Sequence, residues 1–94
     1  METFTVAAVI DGNTFAVSPP WELEDETGDR VRATGYDAPK SGSEAMAAEQ
    51  KISILIQNRK VELGTPHGVD RGRLVCDVYF QGMNLADYFP EYRV

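Results

Sequence analysis

Ninety-four residues with a hydrophobic fraction of 43% and a net charge of −6 at pH 7 describe one small globular domain with a modest core. No run approaches the roughly 18 apolar residues of a membrane-spanning helix, and the single cysteine, Cys76, rules out an internal disulfide. The negative balance argues against bulk capture of nucleic acid, but Glu22, Glu24, Asp25, Glu26 and Asp29 supply most of it, and they read as a solvated hairpin tip.

The N-terminus, Met1-Glu2-Thr3-Phe4, has neither a basic segment nor an apolar one after it, so no signal peptide is expected and a cytoplasmic setting is the default. Thr3 to Ile10 alternates Phe4, Val6, Ala8 and Ile10 and predicts a first strand. Asp11-Gly12 predicts a turn and Thr14 to Val17 the return strand, ended by Pro19-Pro20 because neither residue can donate to a ladder. A third strand is predicted over Arg30 to Tyr36, with Arg30, Arg32 and Thr34 on one face and Val31 and Ala33 on the other.

Ser41 and Glu44 have the spacing of a capping box, and a helix is predicted from there to about Asn58. Its apolar stripe is Ala45, Ala48, Ile52, Leu55 and Ile56, and Arg59 and Lys60 would suit the negative end of its dipole. Val61 to Leu63 predicts a fourth strand, Gly64 to Gly72 a loop, and Leu74 to Phe80 a fifth strand, followed by a turn at Gln81-Gly82. Asn84 to Phe89 predicts one or two helical turns stopped by Pro90. The order is mainly β: five short strands, one main helix between the third and fourth, and a short C-terminal helix, which suits a five-stranded barrel of the OB type. A ferredoxin-like sandwich would need a helix after the first strand, where none is available.

Single residues that invite functional readings have plainer ones beside them. Cys76, in an alternating strand next to Asp77, reads as a buried hydrophobe rather than a reactive thiol. Trp21 reads as a pin for its loop. His67, the only histidine, reads as exposed, with a general-base role as the alternative because its segment precedes Arg73.

Three blocks carry more. They are Val9-Ile10-Asp11-Gly12-Asn13-Thr14-Phe15, then Val31-Arg32-Ala33-Thr34-Gly35-Tyr36-Asp37-Ala38-Pro39-Lys40, then Asp70-Arg71-Gly72-Arg73-Leu74 followed by Val78-Tyr79 and Gly82-x-Asn84-Leu85-Ala86. In this order the chain resembles the staphylococcal nuclease (thermonuclease) family, with its V-x-D-G-D-T, V-R-L-x-G-I-D-A/T-P-E and D-x-Y-G-R-L segments. That family cleaves DNA and RNA phosphodiesters with Ca²⁺, using carboxylates around the ion, a glutamate general base and two phosphate-binding arginines.

The resemblance implies phosphate-binding and catalytic roles for Arg32 and Arg73, and ion-site positions at Asp11, Asn13 and Asp37, with the Ala38 carbonyl as a further oxygen. Two positions depart from it. Asn13 stands where the family has an aspartate, and Lys40 stands at the glutamate. The departures imply no metal cofactor, with Ca²⁺ binding weak or lost, because hard cations are held largely by ligand charge. An ammonium at Lys40 in the ion's place, neutralising Asp37, would leave the arginines for a phosphate. In the plainer alternative Arg32 pairs with Asp37 or Asp11 and Arg73 pairs with Asp70.

The reading is therefore a catalytically impaired nuclease-like domain that binds nucleotide or nucleic-acid phosphate, or a protein. The alternative is an active metal-dependent phosphodiesterase with a modified site. The family's last helix has no counterpart here, which implies apolar barrel surface that a second copy can cover as a homodimer. Tyr88 and Tyr92 read as caps on the barrel's end rather than base-stacking groups.

Overall fold

The computed structural model describes residues 3–94; Met1 and Glu2, half of the segment on which the N-terminal reading rests, lie outside the described residues. Six strands and one helix follow in the order β1 (Thr3–Asp11), β2 (Thr14–Leu23), β3 (Glu26–Ala33), α1 (Gly42–Ile56), β4 (Lys60–Asp70), β5 (Arg73–Phe80) and β6 (Met83–Asn84). Two short 3-10 turns, Leu85–Tyr88 and Pro90–Tyr92, stand where the C-terminal helix is expected. The sheet order is β3-β2-β1-β4-β5-β6, and a further pairing of β3 with β5 closes the first five strands into a barrel. That closing seam is parallel, with Arg30, Val31, Arg32 and Ala33 opposite Arg73, Leu74, Val75 and Cys76. Every other strand pair is antiparallel.

Alternation explains most of the core. On β5, Leu74, Cys76, Val78 and Phe80 are buried and the residues between them are not. On β3, Val31 and Ala33 point inward while Arg30 and Arg32 point out. Helix α1 closes the barrel through Ala48, Ile52 and Ile56. Full burial of each isoleucine contributes about 1.5–3 kcal/mol. Trp21 is buried in the core, where its indole N–H donates to the Arg30 carbonyl at 2.7 Å and pins β2 to β3. The five acids lie on the β2–β3 hairpin around its exposed tip at Glu24-Asp25.

Several boundaries differ from the sequence expectation. β1 changes phase at a bulge between Val6 and Ala8, so Ala8 and Ile10 are exposed and Val9 turns toward the core. Pro19-Pro20 does not end β2. The β2–β3 register jumps between Ala16 and Trp21, so the prolines, which lack an N–H, sit where no β3 partner needs one. β3 begins earlier, at Glu26, and ends at Ala33; Tyr36 forms only an isolated bridge with Arg93.

Ser41 is the N-cap of α1, but its hydroxyl makes no capping bond, because Gly42, at φ 79°, holds the entry off helical geometry. The helix ends at Ile56, two residues short of Asn58, and Arg59 and Lys60 belong to the turn and to β4 rather than to its last turn. Of the predicted loop Gly64 to Gly72, only Arg71-Gly72 is a turn. β4 continues to Asp70 through irregularities on either side of Pro66, which absorb the missing donor of the proline and the φ of 137° at Gly68.

Candidate phosphate site at the end of the barrel

The β1–β2 turn and the segment after β3 are packed together, and glycine makes that contact. A Cβ on Gly12 would lie 2.5 Å from the Ala38 Cβ and 3.0 Å from that of Ala48. The Tyr36 hydroxyl donates to the Gly12 carbonyl at 2.8 Å, and the Ala33 N–H donates to the Asn13 carbonyl at 2.9 Å. Burial, and secondarily the Asp11 charge, pushes the Tyr36 phenol well above its ordinary range, so it remains a donor. On its far side Tyr36 stacks on Phe89 at 4.6 Å, and the Asp37 N–H donates to the Tyr92 carbonyl at 2.8 Å. The C-terminal tail thus holds residues 36 and 37 in place. Tyr88, whose hydroxyl donates to the Phe80 carbonyl, and Tyr92, packed on Phe89, close this end of the core.

These contacts bring Asp11, Asn13 and Lys40 together. Asn13 is fully buried. Its N–H donates to Asp11 Oδ1 at 3.0 Å, and its side-chain oxygen accepts from Lys40 Nζ. Lys40 Nζ also lies 3.6 Å from Asp11 Oδ1. The ammonium therefore lodges on Asp11 and Asn13, not on Asp37 as the sequence reading anticipates. Asp37 is faced instead by Arg32, whose Nη2 is 3.8 Å from its Oδ1, a separation too long for a hydrogen bond. Two carboxylates are met by two cations. Among the described residues no group of three or more His, Cys, Asp and Glu side chains is arranged to hold a metal ion.

The two arginines differ in their freedom. Arg73 is engaged by Asp70, through Nη2 to Oδ2 at 3.1 Å and through Nε to the carbonyl at 3.3 Å. Arg32 Nε is buried and has no hydrogen-bond partner among the described residues. Its side chain lines a cavity of about 210 Å³ together with Thr34, Gly35, Tyr36, Asp37, Val75 and Val94. Register places Arg73 opposite Arg30 and Arg32 opposite Val75, so both guanidiniums leave the same outer face of the seam, with backbones about 8 Å apart at ordinary strand spacings.

No protein family model and no curated protein matches this chain. One pair escapes sequence reasoning: Asp77 accepts from Thr34 Oγ1 and lies 3.0 Å from His67 Nε2. Alternation alone puts Asp77 outward on β5, but His67 falls within the loop predicted from composition, whereas β4 extends past it. Cys76 is buried, and burial, with a smaller contribution from Asp77, pushes its thiol up to about 12.

Proposed function

We propose that the barrel binds phosphate groups of nucleotides or nucleic acid at Arg32 without a metal ion. The observation that carries the reading is the state of Arg32: a guanidinium at a cavity, with a buried Nε that has no partner among the described residues and a loose ion pair to Asp37. An unmade hydrogen bond of a buried donor costs about 1–3 kcal/mol, which an incoming phosphate oxygen recovers. Charge-assisted bonds between guanidinium and phosphate are also among the stronger ones. Arg73 joins by exchanging Asp70 for a phosphate on the same outer face.

A calcium-dependent nuclease centre fits these residues poorly. Ca²⁺ takes six or more oxygens, preferably from carboxylates. Here Lys40 already sits on the Asn13 and Asp11 oxygens, and its ammonium would face the ion. No carboxylate stands at position 40 to act as a base. The resemblance to the staphylococcal nuclease family thus supports the arginine half of such a site and not its metal half.

The test is titration of a nucleoside 3′,5′-bisphosphate into ¹⁵N-labelled protein in EDTA and again in Ca²⁺. Shifts at Arg32, Thr34, Asp37 and Val75, equal in both conditions, are expected. Unmoved resonances at millimolar ligand refute the proposal, and shifts that require Ca²⁺ restore the metal-dependent alternative.

A further inference from the structure

The phosphate reading leaves unused the His67 pair on the barrel's outer face. Asp77 lies on β5 two residues past Val75, the register partner of Arg32. Arg32, Thr34, Val75 and Asp77 alternate with the buried Ala33, Leu74, Cys76 and Val78, so they share the outward face. Thr34 belongs both to the wall of the Arg32 cavity and to the Asp77 carboxylate, to which it donates. His67, half exposed, closes the row from β4. The cavity, the carboxylate and the imidazole are therefore contiguous, with Asp77 about 7 Å along β5 from the position opposite Arg32.

The proton arrangement follows from the acceptor. A carboxylate only accepts, so the His67 nitrogen facing it, Nε2, carries the hydrogen. The neutral ring then has its lone pair on Nδ1. Asp77 stays ionised, since the Thr34 hydrogen bond and then that of His67 hold its carboxyl below the ordinary range. Asp77 is the charged group touching His67; Arg30, Arg32 and Arg73 share the outer face farther along the seam.

We propose that His67, oriented by Asp77, is a general base for metal-independent cleavage of RNA at a phosphodiester held by Arg32. The proposal rests on the phosphate reading above. Nδ1 takes the proton of the ribose 2′-hydroxyl, and the 2′ oxygen forms a bond to phosphorus as the bond from phosphorus to the 5′ oxygen breaks. The departing 5′ oxygen takes a proton from water, and the imidazolium returns its own to the hydroxide left behind. The products are a 2′,3′-cyclic phosphate and a 5′-hydroxyl, with no change of oxidation state. DNA, lacking the 2′-hydroxyl, is bound but not cut. Asp77 and Thr34 are positioning residues.

The experiment incubates a labelled oligoribonucleotide with wild-type protein in EDTA and identifies the ends, while binding of its all-deoxy counterpart is measured separately. Wild type is expected to yield cyclic phosphate ends at a rate that rises with pH on the acid side. His67→Ala, purified identically, is expected to lose that limb and about 100-fold in rate while binding the deoxy strand equally well. Asp77→Asn is expected to lose less rate and to shift the pH profile. His67→Asn replaces the alanine variant if that one fails to fold. Binding without cleavage, or equal cleavage by His67→Ala, overturns the role of His67 and leaves the phosphate site standing. Absence of binding to the deoxy strand overturns both.

Discussion

Replacing Lys40 with methionine tests the arrangement at the barrel's end most directly. The change keeps most of the stem and removes the ammonium from Asn13 Oδ1 and from its position 3.6 Å from Asp11. The two losses have different sizes. The Lys40–Asp11 pair is about half exposed on one side and over a third on the other, so it contributes about 0–1 kcal/mol and disappears in high salt. The Asn13 oxygen belongs to a side chain with no exposed surface, and leaving such an acceptor unpaired costs about 1–3 kcal/mol with little dependence on salt. The sum should lower the melting temperature by about 5–20 °C for a chain of this length. Thermal and urea unfolding followed by circular dichroism, at 0.1 and 1 M salt, separates the two terms. A loss below about 0.5 kcal/mol, or one that vanishes in 1 M salt, would mean that Lys40 is a surface charge and that Asn13 is satisfied some other way.

Other outcomes follow from single contacts. Gly28→Ala places a Cβ 2.8 Å from the Trp21 ring, so it should cost about 1–3 kcal/mol and red-shift the fluorescence of the only tryptophan. The Cys76 thiol should resist a disulfide reagent at pH 8 in the folded protein and react rapidly in urea. Because the folded thiol ionises only near about 12, the unfolded chain loses its proton first as pH rises. The Cys76 contribution should therefore be constant below about pH 8 and fall above that point, and urea midpoints from about pH 7 to 9.5, before tyrosine ionises in the unfolded chain, report its slope. Arg32→Gln should abolish bisphosphate shifts, whereas Arg73→Gln should only weaken them, since Asp70 already engages Arg73.

The barrel was legible because its signals were local and redundant. Alternation on β5, the glycine turn at Gly12 and the stripe of α1 each point to the same closed sheet. What escaped was irregular pairing. Pro19-Pro20 and the run from Gly64 to Gly72 have the composition of loops, yet the prolines lie in β2 and the run lies in β4 as far as Asp70, because a register jump or a bulge removes the partner that proline cannot serve. The bulge after Val6 inverts the inward phase of β1 in a way that no hydrophobic pattern displays. At the site, the nearness of Asp11, Asn13 and Lys40 was readable but their pairing was not. Spacing along the chain leaves Lys40 free to meet Asp11 or Asp37, and only the folded chain shows it on Asp11 and Asn13, with Asp37 facing Arg32.

The parallel seam between β3 and β5 joins segments about forty residues apart in the chain, across the whole of α1 and β4. Loop-closure entropy opposes that contact more than it opposes any of the hairpins. Arg32 and Arg73, the groups proposed to meet a phosphate, stand on opposite sides of the seam, so the proposed site exists only once the barrel is shut. A ligand that bridges it acts as a clasp. At a hundred times its dissociation constant it would add about 2.7 kcal/mol to the closed state alone, so the opening of the seam should slow in proportion to occupancy while exchange at the far hairpin tip stays unchanged.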